Sequence, residues 1–260
     1  LWVVSGFSEP LVATDETSAE QDTALAAAVA AFESSGGGDF SALDRYAAAH
    51  PRSGWTPVLL ANLGFSYYRE GYFERSISAL HRAWFLGKHI EEPRARAIID
   101  RAFGELVRMH AKLGHRDEVR ALVQEAQGRA VSGSASEAVA GAKDGLWLME
   151  NAPGLAYRCG PMAVRALASL KGIARGDVQK KIDAVHSTAR GISLQDVEKL
   201  AHSIGLPHMA AYRAASRAIP VPSVVHWKLD HYAAITAVRD GRYLIEDPTF
   251  GDELWITADA

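Results

Sequence analysis

Apolar positions follow helical spacing through most of the chain and change to strand-like runs only after residue 220, so the two ends predict different architectures. Residues 1–17 show neither period. Ser18 followed by Gln21 is a capping box, and it opens an Ala-rich helix predicted over residues 24–32. Ser34–Ser35–Gly36–Gly37–Gly38 stops it. This glycine cluster follows a helix and lacks a Gly-Lys-Ser/Thr ending, so it reads as a loop and not a phosphate cradle. A short helix is predicted over Ser41–Ala49, ended by Pro51. Thr56–Pro57 reads as an N-cap followed by proline at the first helical position. Leu60, Leu63, Gly64 and Tyr67 continue that helix, Gly71 turns the chain, and Ser76, Leu80 and Ala83 mark its partner. Gly133–Ser134–Ala135–Ser136 breaks the helical run. Ser134 with Glu137 forms another capping box and predicts a linking helix over residues 137–149, ended by Pro153 and Gly154. A domain boundary is expected near residue 134, giving a helical domain over 1–133 and a second domain over 134–260.

Past Pro153 the predicted elements are three helices, over residues 162–170, 177–185 and, after the capping box Ser193/Asp196, up to Gly205. Strands follow over residues 221–227, 231–238, 242–246 and 253–257. The dipeptide Asp240–Gly241 between two of them is a hairpin signal. Helices first and antiparallel strands afterwards give an α+β layout.

Composition narrows the function. With 48% hydrophobic and 23% charged residues the chain reads as a folded globular protein, and 260 residues favour two domains. A net charge of −3 gives no sign of a nucleic-acid binder. No apolar run reaches the ~18–20 residues a membrane helix needs. The apolar residues 1–4 fit either the stub of a removed signal peptide or an arbitrary end. The single cysteine, Cys159, excludes an intrachain disulfide and any cysteine-based zinc site. It is either a small buried hydrophobe or a reactive thiol.

Cys159–Gly160–Pro161 leads into a helix. A helix N-terminus carries partial positive charge, which favours a thiolate, and Gly160 would leave the sulfur accessible. A thiolate nucleophile needs a histidine to hold and deliver its proton. Among ten histidines, His231 stands out because it opens the apolar strand Tyr232–Ala233–Ala234–Ile235. It is equally readable as a strand-end histidine facing water. Asp247, at the end of the next strand, is either an orienting acceptor for the imidazole or an ordinary Asp-Pro turn initiator. His226 and His231, five residues apart with no third ligand at useful spacing, do not make a metal site. No cofactor is expected.

Two resemblances add to these readings. The pattern from Leu60 to Ala83 resembles the tetratricopeptide repeat. Phe103, Leu106, His110, Gly114, Val119, Val123 and Ala126 form a weaker second copy, and residues 19–52 a degenerate first one. The segment Tyr157–Arg158–Cys159–Gly160–Pro161–Met162–Ala163 resembles the Cys-Gly-Pro-x-Ala element of the bacterial double-glycine leader peptidases, which are papain-like enzymes. Gly191–Ile192–Ser193–Leu194, the stretch from Leu200 to Leu206, Pro222, His226–Trp227, His231–Tyr232 and Asp247–Pro248–Thr249–Phe250–Gly251 follow in that family's order, over about residues 150–257. The resemblance implies a papain-like cysteine peptidase domain behind helical repeats. It makes Cys159 the nucleophile, His231 the base and acid, and Asp247 the orienter, with Gly160, His226 and Trp227 near the site. The implied partner is a peptide substrate or another segment of the same polypeptide. The runner-up is a peptidase-like module that binds peptides without cleaving them, and a third reading is a structural segment with Cys159 buried. The family's oxyanion Gln is not found before Cys159; Asn151 has the right chemistry but sits further upstream. The membrane and ATPase domains of the family's exporters are also not found, so the arrangement looks more like peptidase modules embedded in large bacterial polypeptides, including Rhs-type proteins, in the cytoplasm or exported. The chain also stops soon after Trp255, where a further strand is expected.

Strand geometry sets a condition on the triad. A two-residue turn at Asp240–Gly241 pairs Arg239 with Arg242 and so puts Asp247 opposite Ala234. His231 would then lie about 10 Å away along the strand and on the other face. The three residues can meet only if a bulge, another loop length or strong coiling intervenes between Val238 and Asp247.

Overall fold

The computed structural model describes residues 1–129, 131, 133–214, 217–249 and 251–260, with the side chains of 251 and 252 left aside. The backbone falls into two compact units. One comprises Leu1–Met109 with Leu122–Gly141, the other His110–Ala121 with Ala142–Ala260. Among the described residues no helix is long and apolar enough to cross a membrane.

The first unit is helical. It holds α1 (Ala19–Ser34), α2 (Ser41–Ala49), α3 (Thr56–Arg69), α4 (Phe73–Gly87) and most of α5 (Pro93–Leu113). The Ser18/Gln21 capping box is formed in both directions, so two of the orphan N–H groups at the start of α1 are satisfied by local chemistry. Thr56 does not cap α3. It is the first helical residue, and its hydroxyl donates to the His50 carbonyl at 2.7 Å, which ties the helix start to the end of α2 instead. A Cβ on Gly64 would come within 2.5 Å of the Leu80 side chain, so the missing side chain is what lets α3 and α4 pack this closely. The Ser76 hydroxyl bonds the Gly64 carbonyl at 2.8 Å across the same contact. Leu60, Leu63, Leu80, Trp84, Phe103 and Leu106 fill the core.

The second unit is α+β. Helices α6 (Arg116–Glu125) and α7 (Ser134–Asn151) run partly within it. They are followed by the one-turn α8 (Pro153–Ala156), which sequence pattern had given only as a helix end, then α9 (Cys159–Leu170), α10 (Asp177–Asp183) and α11 (Leu194–Ser203). Ser193 and Asp196 form their box at the head of α11, and Gly205, at φ +70°, follows its end. Strands β1 (Ser223–Trp227), β2 (His231–Arg239), β3 (Arg242–Asp247) and β4 (Gly251–Thr257) make one antiparallel sheet in chain order. Alternation along β2 sends Tyr232 and Ala234 into a core with Ala163, Val164 and Ala168 of α9, while Ala233 and Ile235 join Ile245 and Ile256 on the other face.

The β2–β3 turn has φ +51° at Asp240 and +74° at Gly241, the paired left-handed geometry the dipeptide predicts. Arg239 faces Arg242, and Ala237 faces Leu244. Between Ile235 and Ala237 the register shifts by one: Ile235 faces Ile245, and Ala234 faces Glu246. Thr236 is the extra residue of a β-bulge. The β3–β4 pairing shifts again between Ile245 and Asp247.

Candidate active site

The Thr236 bulge meets the geometric condition on the triad, two residues before the span in which the sequence placed it. With Ala234 facing Glu246, Asp247 comes opposite Ala233 rather than Ala234. His231 is two residues from Ala233. It therefore shares a face with Asp247 at about 7 Å of strand length, a gap two side chains can close. They do close it. His231 Nε2 lies 2.5 Å from Asp247 Oδ2, with His231 2% and Asp247 4% exposed. A ring nitrogen this close to a carboxylate is the protonated one, so Nε2–H donates and Nδ1 is left for another partner. The second carboxylate oxygen, Oδ1, accepts the Thr249 N–H at 2.8 Å. The two carboxylate oxygens thus have separate partners, one within the Asp-Pro turn and the other the imidazole.

Cys159 is the first residue of α9, and His231 the first of β2, the strand against which α9 packs. The cysteine is free and half-buried. Burial pushes its thiol up, but a hydrogen bond with His231 and the charge of that imidazole outweigh it. The backbone N–H groups of Tyr232 and Gly160 add to them, and the thiol is held below its ordinary value. For His231, burial disfavours the charged ring, yet hydrogen bonds to Asp247 and Cys159 and their negative charge raise it to about 9. The arrangement favours a thiolate–imidazolium pair with a carboxylate behind it.

Gly160 has a tighter role than leaving the sulfur open. A Cβ there would come within 2.8 Å of Ile192 and 3.2 Å of Val197, so the glycine sets how closely the head of α9 approaches α11 and its preceding loop. His226 stacks on the Tyr232 ring, with centroids 4.4 Å apart at 22°, and Trp227 faces His231 across β1–β2. Asn151 is placed elsewhere. It ends α7, donates its side-chain amide to the Trp147 carbonyl at 2.8 Å, and is not among the residues around the sulfur. Phe250 of the sequence motif lies outside the described residues.

The sulfur opens into a cavity of about 830 Å³ lined by Cys159, His226, His231 and Tyr232 together with the turn over residues 112–115. Sequence reasoning did not place that turn here. Its Gly114, at φ +77°, lies so close to the Tyr157 ring that a Cβ would approach it to 2.6 Å. The glycine was the available signal, but helical-repeat spacing accounts for it equally well.

Residues 157–258 match the family model of the Peptidase C39 family. This supports a C39 cysteine peptidase domain over that stretch, with hydrolase chemistry and peptide substrates. Neither the curated proteins nor the solved structures offer a match.

Proposed function

We propose that the second unit is a cysteine endopeptidase working through a thioester, with Cys159 as nucleophile, His231 as general acid and base, and Asp247 as the residue that orients His231. The observation that carries this reading is the buried His231–Asp247 hydrogen bond beside a thiol whose pKa is lowered. In the first half-reaction the Cys159 thiolate attacks the scissile carbonyl carbon, and the imidazolium gives its proton to the departing amine. In the second, His231 takes a proton from water, the resulting hydroxide attacks the thioester carbonyl, and the returning electron pair leaves on sulfur as the acid product departs. Asp247 keeps Nε2–H pinned throughout, so Nδ1 is the nitrogen that shuttles the proton. With Asn151 committed to Trp147, the tetrahedral oxyanion has the Cys159 backbone N–H at the head of α9 as its donor. A missing side-chain donor typically costs about 10²–10³ in rate. The reaction so written uses no metal or cofactor.

The close α3–α4 packing supports a tetratricopeptide-like docking role for the helical unit, presenting a peptide substrate or another part of the same polypeptide. This is the arrangement of peptidase modules embedded in large bacterial polypeptides, including those of the Rhs type. A second reading, a peptide-binding module without turnover, is favoured by the commitment of Asn151. Iodoacetamide labelling near pH 6 separates the readings at the first step. Rapid labelling of Cys159, lost in His231→Ala, supports the enzyme. Labelling as slow as that of an ordinary thiol overturns it.

A further inference from the structure

In the reaction written above the tetrahedral oxyanion has one donor, the backbone N–H of Cys159, because Asn151 bonds within its own helix. A second donor has to be a polar side chain close to the sulfur, fixed in place and bonded to nothing in the free protein. Tyr232 meets these conditions. It follows His231 directly, and Cys159 is met by both residues: the imidazole bonds the thiol, and so does the Tyr232 backbone N–H. The Tyr232 side chain points to the α9 face of the sheet, into the core that Cys159 borders, with Ala163 and Val164 of α9 and Val197 of α11. His226, its cross-strand neighbour, lies flat against the ring with centroids 4.4 Å apart, which fixes the ring plane. At the end of this fixed ring the hydroxyl makes no hydrogen bond among the described residues, although Tyr232 is only 5% exposed. A buried polar group without a partner is unfavourable, so few are retained. The hydroxyls of Ser187, Ser223 and Thr236 are also unpartnered but sealed from solvent, whereas Tyr232 lines the sulfur cavity, where a ligand reaches it. Burial, and then negative charge on Cys159 and Asp196, hold the phenol above its ordinary value. At neutral pH it therefore carries its proton and is a donor within electrostatic reach of the sulfur.

We infer that the Tyr232 hydroxyl is the second oxyanion donor of this site, a catalytic group in the part that the resemblance assigns to Gln. As the Cys159 thiolate adds to the scissile carbonyl, the π electron pair moves onto the carbonyl oxygen, and the phenol donates to that oxygen alongside the Cys159 N–H. The bond loosens when the pair returns and the amine leaves with the proton from His231. Tyr232 keeps its own proton throughout, so no further acid or base takes part.

The inference rests on the peptidase reading, and its test separates the two without the natural substrate. Full-length protein and its Tyr232→Phe variant are compared in two reactions of the same sulfur. Alkylation by iodoacetamide is a displacement that develops no oxyanion, whereas acylation by p-nitrophenyl acetate passes through a tetrahedral one and releases p-nitrophenolate. Tyr232→Phe should leave the alkylation rate and its pH profile unchanged and slow acylation about 10²-fold, the lower figure for loss of one donor. The thermal unfolding midpoint should not fall, because the hydroxyl removed bonds nothing in the free protein. Equal acylation by the two proteins, a parallel loss in both reactions, or a lowered midpoint that marks the hydroxyl as structural each overturns the inference. Alkylation of the unaltered protein as slow as that of an ordinary thiol is a different failure, for it removes the peptidase reading and this inference with it.

Discussion

Replacing Asp247 by Asn keeps the side-chain shape and removes the charge that holds His231 protonated. The rise of His231 from 6.5 to about 9 corresponds to about 3 kcal/mol of preference for the imidazolium, at roughly 1.4 kcal/mol per unit. Cys159 supplies part of that. The comparison is therefore made in Cys159→Ala protein, where Asp247, whose hydrogen bond is the largest of the raising causes, is the partner under test. Both side chains are nearly free of solvent, so little of this is screened. The folded value of His231 lies above its unfolded one. Its stabilisation is therefore complete below about pH 6.5 and lost as pH rises through about 9. Urea unfolding of Cys159→Ala and Cys159→Ala/Asp247→Asn near pH 6, 8 and 10 reads this directly. The Asn variant should be less stable near pH 6 by something on the order of 1–3 kcal/mol, with the gap narrowing by pH 10. A gap that stays constant, or widens toward alkaline pH, refutes the claim that Asp247 acts through the charge of His231.

Three further outcomes are expected. The alkylation rate of Cys159, followed by mass spectrometry, should rise at a pH below that of an ordinary thiol. It should show a second change near pH 9, where His231 loses its proton, and His231→Ala should remove both features. Gly160→Ala should lower stability by about 1–3 kcal/mol in thermal unfolding, because the added methyl would approach Ile192 to 2.8 Å, closer than side chains pack, and press on Val197 at 3.2 Å. Deleting Thr236 should restore an unbroken ladder with Ile235 still across from Ile245, so Asp247 should stay across from Ala233 and within reach of His231. The expected signature is that the far-ultraviolet spectrum and the labelling of Cys159 near pH 6 both persist, and loss of labelling would refute the register assignment.

Much of this architecture is legible in the chain because it is made by neighbours in sequence. The boxes at Ser18/Gln21 and Ser193/Asp196 each form from side chains three residues apart, and the Asp240–Gly241 turn needs only two residues that tolerate positive φ. Helix and strand positions follow for the same reason. Thr56 escaped because capping competes with a longer-range bond, from its hydroxyl to the His50 carbonyl, that spacing does not reveal. The Thr236 bulge escaped in position though not in principle. The ladder arithmetic demands an irregularity, but a bulge at threonine leaves no compositional mark such as glycine would. The turn over residues 112–115 escaped because periodicity identifies a helix and its apolar face without naming what that face meets. Where Cys159, His231 and Asp247 converge, sequence supplied the residue types and the order, while the meeting itself depends on Thr236 standing outside the β2–β3 ladder.

That bulge divides the β2–β3 hairpin into an outer and an inner block whose orientations are set independently. Along a strand, sidedness is a matter of odd and even. One supernumerary residue reverses it, and a second reverses it back. The hairpin tip beyond Ala237 and Leu244 can therefore lengthen or shorten by matched pairs of residues without consequence for the inner block. A single residue added to β3 between Leu244 and Ile245 would pair with Thr236 and leave the carboxylate in place, whereas a single residue removed from β3 between Leu244 and Asp247, with the bulge kept, would bring Asp247 across from Ala234 and turn it from the imidazole, so variation in this hairpin is tolerated or ruinous according to its parity and strand.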